Sequence, residues 1–301
     1  MTIIPPRPFH RAELWLLMLL AVLALGTVGL DLFHPARVDW PAFLLPVGAS
    51  LMLIAIGAYI RLRKPMPRMA SFAIALGVFM AFSALVAIFI FLLFPFPRPM
   101  IDATLIRLDA ALGYDWAGFV AGIARYPAFG TVLGWIYLSA IPQLVLVMVV
   151  LAAMGRDRAL HQFLMVGMLG MAVAVGIWWL APSIGPSAYV AIPAEVAQPI
   201  GLVVDSGYGA MLQDLAARGI DLIRPDRIIG VIAFPSFHII MACMVVWFTR
   251  ATPVFWPGAV ANGLMVPATL GHGGHHLIDL LAGIGVFALV LFLSRRLLRH
   301  G

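Results

Sequence analysis

Cysteine is almost missing from this 301-residue chain: Cys243 stands alone, inside an apolar run. No intramolecular disulfide can form, which excludes the stapled secreted scaffolds, and the thiol reads as a small core residue. Lysine is as scarce, with Lys64 beside 18 arginines. Charge of either sign is in short supply, at 11% of residues against 63% hydrophobic ones, where soluble domains carry roughly 25% charged residues. So few charges cannot clothe a water-soluble globule of this size. Soluble enzymes and disordered chains are therefore excluded, and a polytopic membrane protein remains. A net charge of +6 raises nucleic acid as a partner. The arginines, however, sit in short clusters between apolar runs, a topology pattern instead of a polyanion-binding face. Internal repeats and low-complexity segments are absent as well.

Apolar stretches near the roughly 20 residues that cross a bilayer fall at 14–30, 40–60, 70–94, 130–154, 162–181, 231–250, 254–270 and 276–294. They predict an all-α, polytopic helix bundle of about eight transmembrane helices. The first run follows Arg7 and Arg11 but exceeds the length of a signal-peptide core and lacks a persuasive cleavage site, so it reads as a span. With the N-terminus inside, 12 basic residues fall on the inner side and 7 on the outer, while only Glu13 and Asp157 of the acidic residues fall inside. The positive-inside rule then gives an N-in, C-in protein with two long outer loops, 95–129 and 182–230. Within them, 101–112, with Asp102 as a possible cap, and 209–218, ending at Gly219, carry apolar side chains at helical spacing. Both suit helices lying in the interface over a lipid-facing pocket, and ordinary re-entrant connectors would give the same pattern.

Ionisable groups at membrane depth are costly and mark function. Four of the eight histidines, His238, His272, His275 and His276, lie at the outer ends of the last three spans, with Asp279 beside them. In GGHHLID, residues 273–279, Gly273 and Gly274 leave the first backbone N–H groups of the last span accessible. His275 and Asp279 are spaced i, i+4, as neighbours on one helix face. A carboxylate there can fix the imidazole tautomer and free the other ring nitrogen as a nucleophile. In FPSFH, residues 234–238, Pro235 suits a first helical turn, Ser236 offers a hydroxyl beside free backbone donors, and His238 follows on the same turn. Two helix N-termini converging on one phosphoryl group, with one histidine to attack it and another to protonate the leaving oxygen, need no metal.

FPSFH and HHLID, in that order, resemble the second and third signatures of the type 2 phosphatidic acid phosphatase superfamily. The forms GGHHxxD and PSFH are closer to its inositol phosphorylceramide synthase-like (inositolphosphotransferase) branch, itself similar to sphingomyelin synthases. The resemblance covers roughly residues 70–295. It implies a six-helix catalytic core at 69–301 after a two-span extension at 1–68. It also implies that His275 is the nucleophile forming a phosphohistidine, oriented by Asp279, with His238 as general acid and then base. Ser236, the Gly274 backbone and Arg227 become phosphate-binding candidates, Arg224 being an alternative to Arg227. The chain departs from the phosphatase pattern: Ala268 and Thr269 stand where a Ser-Arg pair is usual, and PSIGPSAY, residues 182–189, lacks the cations of the first signature. Fewer cations suit a phosphodiester with one negative charge. The expected function is therefore lipid head-group phosphotransfer on phospholipids or sphingolipids, the alternative being a lipid phosphate phosphatase acting on phosphatidic acid or a polyprenyl phosphate.

Other chemistries fit less of the sequence. HGGHH, residues 272–276, matches one histidine box of membrane di-iron enzymes, but His10, His34, His161 and His300 are scattered. A zinc site from His238, His272 and His276 lacks supporting residues, and a transporter would show repeated halves. The expectation is an enzyme without cofactor or metal, taking a lipid from the bilayer, with no nucleic acid and no obligate protein partner. A bacterial inner membrane suits the short arginine-rich loops, with the active site on the non-cytoplasmic face.

Overall fold

A computed structural model describes residues 7–298. Backbone N–H and C=O groups find no water in hydrocarbon, so a chain this apolar satisfies them within helices, and the structure is the all-α bundle that composition implies. Three long helices come first: α1 (Arg11–Asp31), α2 (Trp40–Arg63) and α3 (Pro67–Phe91). Four shorter ones follow, α4 (Asp102–Ala111), α5 (Trp116–Ala124), α6 (Pro127–Leu138) and α7 (Ala140–Ala153), before the long α8 (Asp157–Leu180). Then come α9 (Ala194–Ala197), α10 (Ser206–Arg218), α11 (Phe237–Thr249), α12 (Phe255–His272) and α13 (Leu277–Leu297). Among the described residues α1, α2, α3, α8 and α13 are long and apolar enough to cross a membrane, and a sixth span results if α5 and α6, bent by 118°, count as one. The chain is a multi-pass membrane protein. Leu25, Leu45 and Trp256 stay more than two-thirds exposed, as lipid-facing side chains do.

The spans differ in detail from eight uninterrupted crossings. The apolar run 130–154 breaks at Ser139 between α6 and α7. Pro142, in the first turn of α7, has no N–H for the Leu138 carbonyl and its ring excludes continuous helix there. Ser139 fills the gap, donating to the Ile136 carbonyl (2.7 Å) and accepting from Gln143 (2.8 Å). The run 231–250 becomes helical only at Phe237: residues 231–236 are irregular, with a bend at Phe234–Pro235. The two amphipathic loop segments form α4 and α10. Asp205 caps α10 by accepting from the Tyr208 N–H (2.9 Å), and α10 stops at Gly219, whose φ is +76°. Helix α5 has no counterpart among the expected elements.

Packing between α2 and α3 depends on small residues. A Cβ at Gly57 would lie 2.8 Å from the Ala70 carbonyl oxygen, and one at Gly77 would lie 2.7 Å from that of Ser50, the close helix approach that membrane bundles use. Glu13, 1% exposed on α1, is offset by Arg61 of α2, which grips both carboxylate oxygens, and by His161 of α8 (3.2 Å). A two-residue parallel pairing of Arg37–Val38 with Leu222–Ile223 ties the α1–α2 connection to the second long loop. The main core joins α1, α2, α3, α7, α8, α11, α12 and α13 around Met148, Phe163 and Val290.

Candidate active site

The turn between α12 and α13 carries the GGHH residues. Gly274 has φ +58°, a left-handed conformation that reverses the chain between the two helices. His276 is the N-cap of α13 and Asp279 its third residue, forming a reciprocal capping box. Asp279 Oδ2 accepts from the His276 N–H (2.9 Å) and lies 3.0 Å from His275 Nδ1. His275 thus stands one residue before the cap, not on the face of α13, and it meets Asp279 through the cap. His275 is 2% exposed and Asp279 fully buried.

Helix α11 starts alongside. Ser236 is its N-cap, so Pro235 lies just outside the first turn where the sequence had placed it. The Ser236 hydroxyl makes no capping bond and sits 3.5 Å from His275 Nε2, while its N–H donates to the Asp279 carbonyl (3.0 Å). Gly283 of α13 permits this approach, since a Cβ there would lie 2.6 Å from the Ser236 carbonyl oxygen. His238, on the first turn of α11, stacks on Tyr137 of α6 with centroids 4.1 Å apart, and its ring lies 6.4 Å from that of His275. The structure therefore brings Ser236, His238, His275 and Asp279 to one place between two helix N-termini. The start of α11 leaves backbone donors and a positive dipole end facing this space. At α13, where the sequence suggests accessible donors, the His276 and Leu277 N–H groups are instead taken by Asp279 and Asp109.

The loop 182–189 closes over the turn. A Cβ at Gly185 (φ +84°) would collide with the Gly274 carbonyl oxygen, and Ser187, buried with its hydroxyl unpartnered, packs on Gly274. Asp102, expected to cap α4, turns away from its own helix. Its carboxylate accepts from the Ser183 hydroxyl (2.8 Å) and the N–H groups of Gly185 (2.8 Å) and Ile184 (3.3 Å), with the Tyr189 hydroxyl at 3.4 Å. Asp109, two turns on, accepts from the Leu277 N–H (3.0 Å) and lies 2.6 Å from His276 Nδ1, whose Nε2 is 3.6 Å from Asp102. Helix α4 thus clamps the loop with one carboxylate and the cap of α13 with the other. Burial, then the charge of Asp102, pushes the Tyr189 phenol above its ordinary pKa. Alanine at Gly185 is expected to cost about 1–3 kcal/mol for the backbone conformation alone, before the collision with Gly274. Thermal unfolding in detergent reads this, and an unchanged transition would mean the loop simply shifts.

The remaining candidates lie elsewhere. Arg227 is exposed on the single turn 225–227, with no contact to the site among the described residues, and Arg224 engages Asp226 (3.0 Å) and Asp39 (3.8 Å). His272 Nε2 faces the Gly130 carbonyl (2.9 Å) between α12 and α6. His238, His272 and His276 have three separate sets of neighbours, and among the described residues no group of three such side chains is arranged to hold a metal ion. Asp102 and Asp109 were not singled out from the sequence as site residues. Their signal was present: Asp102, Leu105 and Asp109 recur at i, i+3 and i+7, the stripe of an amphipathic helix that faces its protein neighbours.

A family model described as the PAP2 superfamily matches residues 103–293, well over half of the chain. The chain belongs to the PAP2 superfamily. Membership makes it a protein of the lipid phosphatase and phosphotransferase type. The PAP2 match starts inside α4 and ends inside α13, so it contains Asp109, Ser236, His238, His275 and Asp279, and it leaves α1, α2 and α3 outside. No curated protein and no solved structure matches the chain.

Proposed function

We propose that this PAP2 protein transfers a phosphorylated head group between membrane lipids through a phosphohistidine at His275, as in the inositol phosphorylceramide synthase-like branch. The observation that carries the reading is the position of His275: one ring nitrogen is tied to Asp279, and the other faces Ser236 at the open start of α11. Asp279 keeps the proton on Nδ1, and Nε2 attacks phosphorus. The P–N bond forms as the P–O bond to the leaving alcohol breaks, and His238 gives that oxygen its proton. In the second half His238 removes the proton of the acceptor alcohol, whose oxygen displaces His275. Ser236, the Gly274 turn and the N–H groups at the start of α11 bind the phosphoryl oxygens.

Two features favour a lipid diester. Among the described residues no arginine or lysine contacts His275, Ser236 or Asp279, so the site offers neutral donors suited to one negative charge. An apolar cavity of about 420 Å³, lined by Phe79, Phe82, Phe163, Met168 and Phe237, reaches His238 and would take an alkyl chain. The arginine distribution supports an N-in, C-in orientation with this end of the bundle on the non-cytoplasmic face.

The test uses protein purified in detergent with excess EDTA and a panel of head-group-labelled phospholipids and phosphatidic acid, with and without ceramide or diacylglycerol. Label passing to the acceptor supports the transferase. Free phosphate or phospho-head group released at the same rate without acceptor makes it a hydrolase, and activity only with added metal overturns the mechanism.

A further inference from the structure

Far from the histidines, at the other end of α13, lies a second polar pocket. Arg295 is 20 residues beyond His275, about 30 Å along a helix, so the two cannot share a ligand head group. The pocket has a volume of about 330 Å³ and is lined by Arg158 of α8, Arg250 after α11, Arg295 of α13, Gln162 and Leu298. A topological arginine needs only to sit on the correct side of the membrane, with its side chain loose in the head groups. These three come from separate helices to one space, and two of them are held. The Arg250 and Arg295 guanidiniums lie 4.0 Å and 5.0 Å from the Trp247 ring centroid, and Arg250 also donates to the Trp247 carbonyl (2.8 Å). Gln162 is fixed by donating to Ser294 (3.1 Å) and keeps a second N–H. None of the three arginines forms an ion pair among the described residues, and the nearby Asp157 lines a neighbouring pocket with His10 and His161.

We infer that this pocket binds a phosphate group, that of an anionic phospholipid in the leaflet opposite the catalytic histidines or free phosphate at that surface. Three convergent guanidiniums supply paired N–H donors and the charge to match an anionic phosphate. Trp247 keeps two of them spread before a ligand arrives, which reduces the ordering cost of binding. The inference is independent of the transferase mechanism.

The experiment is thermal unfolding of the full chain in micelles doped with phosphatidylglycerol, with phosphatidylcholine, or with neither, and separately with inorganic phosphate. It compares wild type, each single Arg→Gln variant, the triple R158Q/R250Q/R295Q, and the triple Arg→Lys variant as a charge-preserving control should the Gln triple not fold. Basic side chains near an anionic surface contribute enough that each single loss should raise the half-stabilising phosphatidylglycerol fraction about fivefold, and the triple about a hundredfold. Lipid turnover should stay unchanged. Stabilisation by inorganic phosphate in wild type but not in the triple assigns the same site to the free anion. Equal effects of the two lipids on wild type, or a triple Gln variant that responds like wild type, would overturn the inference.

Discussion

His275→Ala is expected to lower turnover by about four orders of magnitude or more, because on the proposed mechanism it removes the atom that bonds to phosphorus and not merely a positioning contact. The protein should still fold: Asp279 keeps the N–H of residue 276, and Asp109 keeps that of Leu277. The rate is measured beside labelling of the protein by a donor carrying labelled phosphorus, quenched during turnover. The wild type should hold label in an acid-labile bond, as a phosphoramidate is, and the variant should hold none. The same geometry frames the sharpest competing result. Ser236, His275 and Asp279 are arranged as hydroxyl, imidazole and carboxylate, with gaps of 3.5 Å and 3.0 Å, which is also how a serine nucleophile is served by a base and its orienting acid. An acid-stable label on Ser236 would move the nucleophile there and make His275 its base.

His238→Ala should divide substrates by their leaving groups. A lipid alkoxide is a poor leaving group and needs its proton during bond breaking, so turnover of lipid esters should fall by about 10²–10⁴. A nitrophenyl phosphodiester expels a stable phenolate unaided, and its burst of phenolate should survive within about tenfold while the later step slows. Tyr137 stacks on His238 with an interplanar angle of 19°, which fixes the ring without supplying a proton acceptor. Tyr137→Phe should therefore keep the activity that His238→Ala loses. Equal losses on both classes of ester in His238→Ala would remove the acid role and leave His238 as part of the wall.

Much of this arrangement was legible from spacing. The Gly273–Gly274 pair, the His275–Asp279 interval and the Ser236–His238 pair are local features, and the close approach of α11 to α13 at Gly283 joins them into one site. The bundle was legible for a similar reason, since apolar length alone commits a segment to helix in lipid. What escaped depends on distant partners or on single breaks. In the sequence Asp102 reads only as a cap of its own helix and Asp109 does not stand out, because the groups they hold, the 183–185 backbone and His276, lie about 80 and 170 residues further along. Helix α5 was hidden because nine apolar residues are too few to signal a span, and its bend against α6 sets it across the direction such a span would take. The break at Ser139 escapes a reading of the run 130–154 by apolar length alone, which does not register Pro142.

The apolar cavity beside His238 bears on how the second half-reaction is shared out. A phosphoenzyme decays by whichever hydroxyl reaches it first, and in bulk solvent water wins by number alone. Here one side of the base is walled by phenylalanines and methionines, and His275 itself is 2% exposed. Such a wall would starve the proposed phosphohistidine of water and lengthen its life. An alcohol that arrives with an alkyl chain enters by the same wall at high local concentration, because the bilayer is its solvent. On the proposed mechanism the fate of the phosphoryl group follows from which nucleophile dissolves near it, so widening this cavity toward the aqueous side should shift the product from transfer toward hydrolysis without touching His238, His275 or Asp279.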